Sequence, residues 1–241
     1  MTGAALVTGA GRGLGAAIAR TLAARGWPVA VNDLPGGTAE EVAASIGGIA
    51  VPADITDEDQ VAGLVAEVSA KLGPVGCLVV NATGPQPVVP FEDLTWRTHL
   101  DQLEFFVKSP TLLTQAVLPG MKELGGGRIV NIGSDMPDRA LPGWSAYSAA
   151  KAAQLALTRV WARELGRYGV TVNVVAPGWI PVERHASASP AALAEYASEV
   201  PLGRTGTPGE VADTVAFLAS ASAAFITGQC IPVNGGHTIG A

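Results

Sequence analysis

Short apolar runs recur along the 241-residue chain, and between them apolar positions return every three or four residues. The runs Ala4–Val7, Val29–Asn32, Ile49–Pro52, Cys77–Val80, Arg128–Ile132, Thr171–Val175 and Cys230–Val233 read as strands. Several are apolar without alternation, as expected of strands covered on both faces. The spacing predicts helices over Leu14–Arg25, Ala39–Ser45, Glu58–Leu72, Thr98–Leu124, Ser145–Tyr168 and Pro208–Ser220. Strand and helix alternate throughout, which predicts an α/β protein with a doubly wound parallel sheet of about seven strands and helices on both faces. No linker or shift in composition divides residues 1–241, so one domain is expected. Only the Ala-, Ser- and Pro-rich segment 181–200 breaks the pattern. It follows a strand end, where ligands bind in open α/β sheets, and reads as a substrate-covering loop with short helices.

The first strand runs into Thr8-Gly9-Ala10-Gly11-Arg12-Gly13-Leu14-Gly15 and then directly into a helix. Glycines at a strand-to-helix turn let backbone amides and the helix dipole meet a pyrophosphate, so this is a Rossmann-like dinucleotide loop. Asp33 closes the second strand, eighteen residues after Gly15. A carboxylate there accepts hydrogen bonds from ribose hydroxyls and repels a 2′-phosphate, which puts NAD ahead of NADP. Arg12 pulls towards NADP, but Leu34 adds no second cation.

The net charge of −6 weighs against nucleic acid as a partner. No apolar run approaches the length of a membrane span, and Met1–Ala10 lacks the features of a signal peptide. Cys77 and Cys230 lie far apart in strand-like segments and read as free thiols, which fits a cytoplasmic location. His99, His185 and His237 form no ligand pair by spacing, so no metal is expected. His185 in the covering loop is the histidine to test.

Tyr147 and Lys151 stand four residues apart on a predicted helix, hence on one face. A cation one turn from a phenol favours the phenolate, which is what an acid–base tyrosine needs. Around this pair lie Ala53-Asp54-Ile55 after the third strand, Asn81-Ala82 after the fourth and Ile132-Gly133-Ser134 after the fifth. Pro177-Gly178, Thr227-Gly228-Gln229 and Asn234-Gly235-Gly236 follow, and Ser134 precedes Tyr147 by thirteen residues. With the glycine loop, this ordered set resembles the single-domain short-chain dehydrogenase/reductase family, including its 3-oxoacyl-carrier-protein reductase-like members, over nearly the whole chain.

The resemblance implies hydride transfer between a nicotinamide cofactor and a secondary alcohol or ketone on a small or medium, mostly apolar substrate. It implies that Ser134, Tyr147 and Lys151 are catalytic. Gly9, Arg12, Gly13, Leu14, Gly15, Asp33, Asp54, Ile55, Asn81 and Ile180 would bind the cofactor together with Tyr147 and Lys151. It also implies a homo-oligomer, a tetramer or dimer. Five positions depart from the family pattern. Thr83 stands where a glycine is usual, with Gly84 one place late. Phe106 takes the place of a helical asparagine that anchors a proton relay, and Val182 that of a carboxamide-binding threonine. Gly125 and Tyr168 replace basic residues common in carrier-protein reductases. An NADP-linked 3-oxoacyl-type reductase is one alternative, and a non-catalytic dinucleotide-binding protein is the other.

Overall fold

The computed structural model describes residues 3–183, 186 and 188–239. Seven parallel strands form the sheet: β1 (Ala4–Val7), β2 (Val29–Val31), β3 (Ile49–Ala50), β4 (Val75–Val80), β5 (Gly127–Ile132), β6 (Val170–Pro177) and β7 (Cys230–Val233). Their order is β3-β2-β1-β4-β5-β6-β7. One face is covered by α1 (Gly13–Ala24), α2 (Ala39–Ile46) and α9 (Pro208–Leu218), which bury Ile18, Leu22, Val215 and Leu218 with Val7, Val31 and Val79. On the other, α3 (Glu58–Leu72), α5 (Ser109–Glu123) and α7 (Ser145–Leu165) pack Leu64, Leu113, Met121 and Leu165 against Leu6, Leu78 and Ile129. Burial on both faces explains why the strand runs are apolar without alternation. The chain winds outwards from β1 in one direction and from β4 in the other, so a crevice opens where their carboxyl ends diverge.

Local chemistry sets the helix starts. Asp57 accepts the Gln60 amide ahead of α3, and Thr207 and Glu210 form a reciprocal capping box around Pro208 at the start of α9. The expected single helix over Thr98–Leu124 is instead three pieces: α4 (Trp96–Leu103), a π-helical turn at Glu104–Lys108, and α5. Pro110 lacks the N–H that would bond the Phe106 carbonyl, and Ser109 Oγ donates to the Glu104 carbonyl at 2.9 Å. Both changes widen the turn locally. In the expected covering loop, Ser189 caps a full helix, α8 (Pro190–Glu199). His185 lies outside the described residues.

Candidate active site

A cleft of about 1020 Å³ runs across the carboxyl ends of the strands. It is lined by every residue the sequence nominated: Gly9, Arg12, Gly13, Leu14, Gly15, Asp33, Asp54, Ile55, Asn81, Ser134, Tyr147, Lys151 and Ile180. One half lies over β1–β4 and the glycine loop, the other over the segments that follow β5 and β6.

In the first half the loop is tied down from two sides. The Asn81 side-chain amide donates to the Thr8 and Gly9 carbonyls, both at 3.0 Å. From the other side, Asp33 Oδ2 accepts the Gly11 amide at 2.9 Å and Oδ1 accepts the Leu34 amide at 2.8 Å. Gly15 is required by contact: a Cβ there would stand 2.2 Å from the Gly9 carbonyl oxygen and 2.6 Å from Asn81 Nδ2. The amides at the start of α1 are thus open to the cleft in a cradle that any side chain at Gly15 would distort, which fits a pyrophosphate. Asp54 Oδ1 accepts from the Thr56 amide and hydroxyl at 2.8 and 2.7 Å, which fixes its loop beside buried Ile55. Asn81 therefore shapes the loop as well as lining the cleft.

The second half is centred on α7, which begins at Ser145 and carries both Tyr147 and Lys151 at buried positions. Lys151 Nζ donates to the Ile132 carbonyl at 2.6 Å and to Gln154 Oε1 at 3.4 Å. It lies 3.7 Å from the Phe106 ring centroid and 5.8 Å from that of Tyr147. Phe106 and Trp144 meet the Tyr147 ring edge-on, at 5.4 and 5.6 Å. An aromatic face thus meets the ammonium at the position where family likeness leads one to expect an asparagine, a cation–π contact of about 2 kcal/mol when desolvated. Ser134 Oγ, just past β5, accepts the Met136 amide at 3.2 Å. The late Gly84 has its own reason, because a Cβ there would stand 2.1 Å from the Phe105 ring in the π turn. Thr83 is exposed at the rim and accepts from Gln86 Nε2.

Four residues of this half escaped the sequence reading: Gln154, Arg139, Tyr196 and Glu199. Gln154 follows Lys151 by three residues on α7, a spacing that could have revealed it. The others lie on α6 (Met136–Arg139) and α8 and carry no motif. Tyr196 is a second phenol in the cleft, but its hydroxyl accepts the Trp179 amide at 2.7 Å, and burial pushes its pKa up. It stays a neutral anchor between α8 and the segment after β6. Of the thiols, Cys77 is buried in β4 with its pKa pushed up to about 12 by burial, and Cys230 is also free. Among the described residues, no group of three His, Cys, Asp or Glu side chains is arranged to hold a metal ion. None of the helices there is long and apolar enough to cross a membrane.

Strand order, glycine cradle and the lysine–tyrosine face of α7 together define a nucleotide-dependent oxidoreductase. The chain belongs to the short-chain dehydrogenase/reductase family, and residues 9–238 match the family described as enoyl-(acyl carrier protein) reductase. It is 38% identical to the 3-oxoacyl-[acyl-carrier-protein] reductase FabG of Escherichia coli over 96% of each chain. It is 37% identical to the cis-4-hydroxycyclohexanecarboxylate dehydrogenase of Sinomonas cyclohexanicum, over 97% of this chain and 96% of that one. A short-chain type dehydrogenase/reductase from Mycobacterium ulcerans superposes with a TM-score of 0.92 at 30% identity, covering 98% of this chain and 90% of the other. The protein is accordingly an oxidoreductase that uses a nicotinamide cofactor on alcohol and ketone pairs.

Proposed function

We propose that the protein interconverts a secondary alcohol and a ketone on a small or medium, mostly apolar substrate, with NAD as its cofactor. The observation that best supports this is the meeting of Ser134, Tyr147 and Lys151 in one cleft with the glycine loop and Asp33. In this reading the Tyr147 hydroxyl gives its proton to the carbonyl oxygen in reduction and recovers it in oxidation. Ser134 hydrogen-bonds the same oxygen and stabilises the charge that develops there. Lys151, held by the Ile132 carbonyl, keeps a positive charge beside the phenol and favours its ionised form. A bound nicotinamide supplies or takes up the hydride. Phe106 covers one side of the ammonium, so proton exchange with solvent runs from the cleft.

Asp33 supports NAD, because a 2′-phosphate would meet its carboxylate, and Arg12, itself exposed, is the one nearby cation among the described lining residues. Asp54, Ile55 and Leu14 flank the adenosine, and Ile180 the nicotinamide. Residues 181–200, including α8, act as the substrate cover of a single-domain enzyme. The test is turnover with NAD on a panel of secondary alcohols that includes 4-hydroxycyclohexanecarboxylate, in wild type and Tyr147→Phe. A wild type that binds NAD but behaves like Tyr147→Phe on every substrate overturns the catalytic reading and leaves a dinucleotide-binding protein.

Two contacts support a second reading, an NADP-linked 3-oxoacyl-type reductase. Lys122 and Arg167 lie 4.2 and 4.7 Å from the Tyr168 ring centroid. They supply two cations near the starts of β5 and β6, where the sequence places Gly125 and Tyr168. Turnover of a 3-oxoacyl thioester with NADPH, faster on the carrier protein than on pantetheine alone, would favour it. We also infer a homo-oligomer, because Val160, Phe217 and Phe225 are exposed apolar side chains that a dimer or tetramer would cover, and a cytoplasmic location, which the free thiols Cys77 and Cys230 fit. Elution as a monomer on gel filtration contradicts the oligomer.

A further inference from the structure

Arg139 ends α6, five residues after Ser134. Its side chain is 15% exposed and lines the cleft, with the guanidinium 5.2 Å from the Tyr196 ring centroid. The acid beside it, Glu199, approaches only to 3.8 Å, beyond hydrogen-bond reach. That carboxylate is 54% exposed, and the same Oε2 lies 3.2 Å from His237 Nε2. Asp135 is nearby, but its Oδ2 accepts from Asn234 Nδ2 at 3.3 Å. Among the described residues, the guanidinium therefore makes no hydrogen bond to any acceptor. None of its nitrogens is buried without a partner, so the open donors meet solvent in the cleft, where the oxygens of a ligand can replace water.

The backbone fixes where Arg139 stands. Ala140, directly after Arg139, has φ 50°, and it is the one non-glycine residue with positive φ among the described residues. This is a left-handed helix cap, a common way for a helix to end. Here it ends α6 at Arg139, with the Ala140 amide bonded to the Met136 carbonyl at 3.1 Å. The walls between Arg139 and Tyr147 are apolar: Met136, Leu141, Trp144 and Trp179.

We propose that Arg139 binds a carboxylate of the substrate, so that the preferred substrates are compact hydroxy and keto acids with a hydrocarbon body between the two groups. This rests on the alcohol–ketone reading of the same cleft. A planar guanidinium fork matches a carboxylate with two parallel hydrogen bonds, and Glu199 is exposed enough to give way towards His237 and solvent.

The test compares 4-hydroxycyclohexanecarboxylate with its methyl ester in wild type, Arg139→Met and Arg139→Lys. Wild type is expected to prefer the acid. Arg139→Met should lower kcat/KM for the acid about 30-fold, mainly through KM, within the range for hydrogen bonds to a charged group. The ester should change less than about threefold, and Arg139→Lys should recover part of the loss. Calorimetric titration of cyclohexanecarboxylate into the NAD complex gives a readout without turnover, with binding to wild type and none to Arg139→Met. Equal losses on acid and ester, or no preference in wild type, overturn the proposal while leaving the alcohol–ketone activity standing. Arginine-dependent carboxylate binding without turnover of any alcohol upholds the subsite and sinks the catalytic reading instead.

Discussion

In the cofactor half of the cleft the backbone sets the shape, with Gly15 pressed against the Gly9 carbonyl and Asn81 and Asp33 clamping the loop from either side. In the substrate half, Ser134, Arg139, Trp144, Tyr147 and Tyr196 come from three separate segments and meet through side chains. Errors in the first half move backbone and spread to the β1–β4 seam, whereas in the second a side chain can be exchanged with the fold intact. The contrast predicts that mutations separate cleanly: loss of cofactor binding and stability on one side, loss of turnover or selectivity on the other.

The largest expected effect is on turnover. Tyr147→Phe keeps the ring contacts with Phe106 and Trp144 and removes only the hydroxyl. Stability and NAD affinity should stay near wild type while kcat falls about 10²- to 10⁴-fold, the usual contribution of a positioned acid–base group. Single-turnover kinetics with a fluorescence titration of NADH checks both. A parallel loss of NADH affinity would break the separation between the halves.

Next comes Gly15→Ala, which acts on the other side. The new methyl overlaps the Gly9 carbonyl and Asn81 Nδ2, and relief requires the clamped loop to move. Overpacking of this kind costs about 1–3 kcal/mol. For a chain of this length that is roughly a 3–10 °C fall in Tm. NAD affinity should drop at least about tenfold if the displaced amides are the ones that hold the pyrophosphate. An unchanged melting curve with full NAD affinity would remove the argument for a rigid cradle.

How much of each half was legible follows from the same contrast. Residues at strand ends keep fixed spacings to the strands, so Gly9, Asp33, Asp54 and Asn81 could be placed from sequence, as could β1, β7 and α3 to the residue. The Tyr147–Lys151 spacing was equally plain, because one helix carries both. The π turn was not, since periodicity over Thr98–Leu124 continues through it and only Pro110 with Ser109 betrays the break. Arg139, Tyr196, Glu199 and His237 are brought together from segments after β5, β6 and β7, and a contact between distant segments leaves no periodic trace.

A smaller effect sharpens the cofactor half. Asp33→Ala removes the acceptor of the Gly11 and Leu34 amides along with the charge that opposes a 2′-phosphate. NADH should weaken about tenfold while NADPH gains, moving the ratio of the two affinities by roughly 100-fold, or about 2.7 kcal/mol. If the ratio stays put, Asp33 serves the loop alone.

The smallest expected effect lies at Asp135, beside Ser134. Burial holds its carboxyl above the ordinary value of 3.8, and this outweighs the opposing pull of Arg139, the Asn234 amide and His237. A folded pKa above the unfolded one means the fold binds this proton more tightly. The associated stability is therefore full below the ordinary carboxylate value and is lost as pH rises through the raised folded value. At neutral pH the ionised Asp135 is a burden on the fold. Asp135→Asn keeps an oxygen for Asn234 and removes that burden, so its Tm at pH 7 should exceed wild type by a few degrees. The advantage should shrink as pH falls through the raised value and vanish near 3.8. A variant less stable at pH 7 would mean that the attraction of Arg139 and His237 for this carboxylate outweighs its burial, and the substrate half would then be held together by charge in the way the cofactor half is held by backbone.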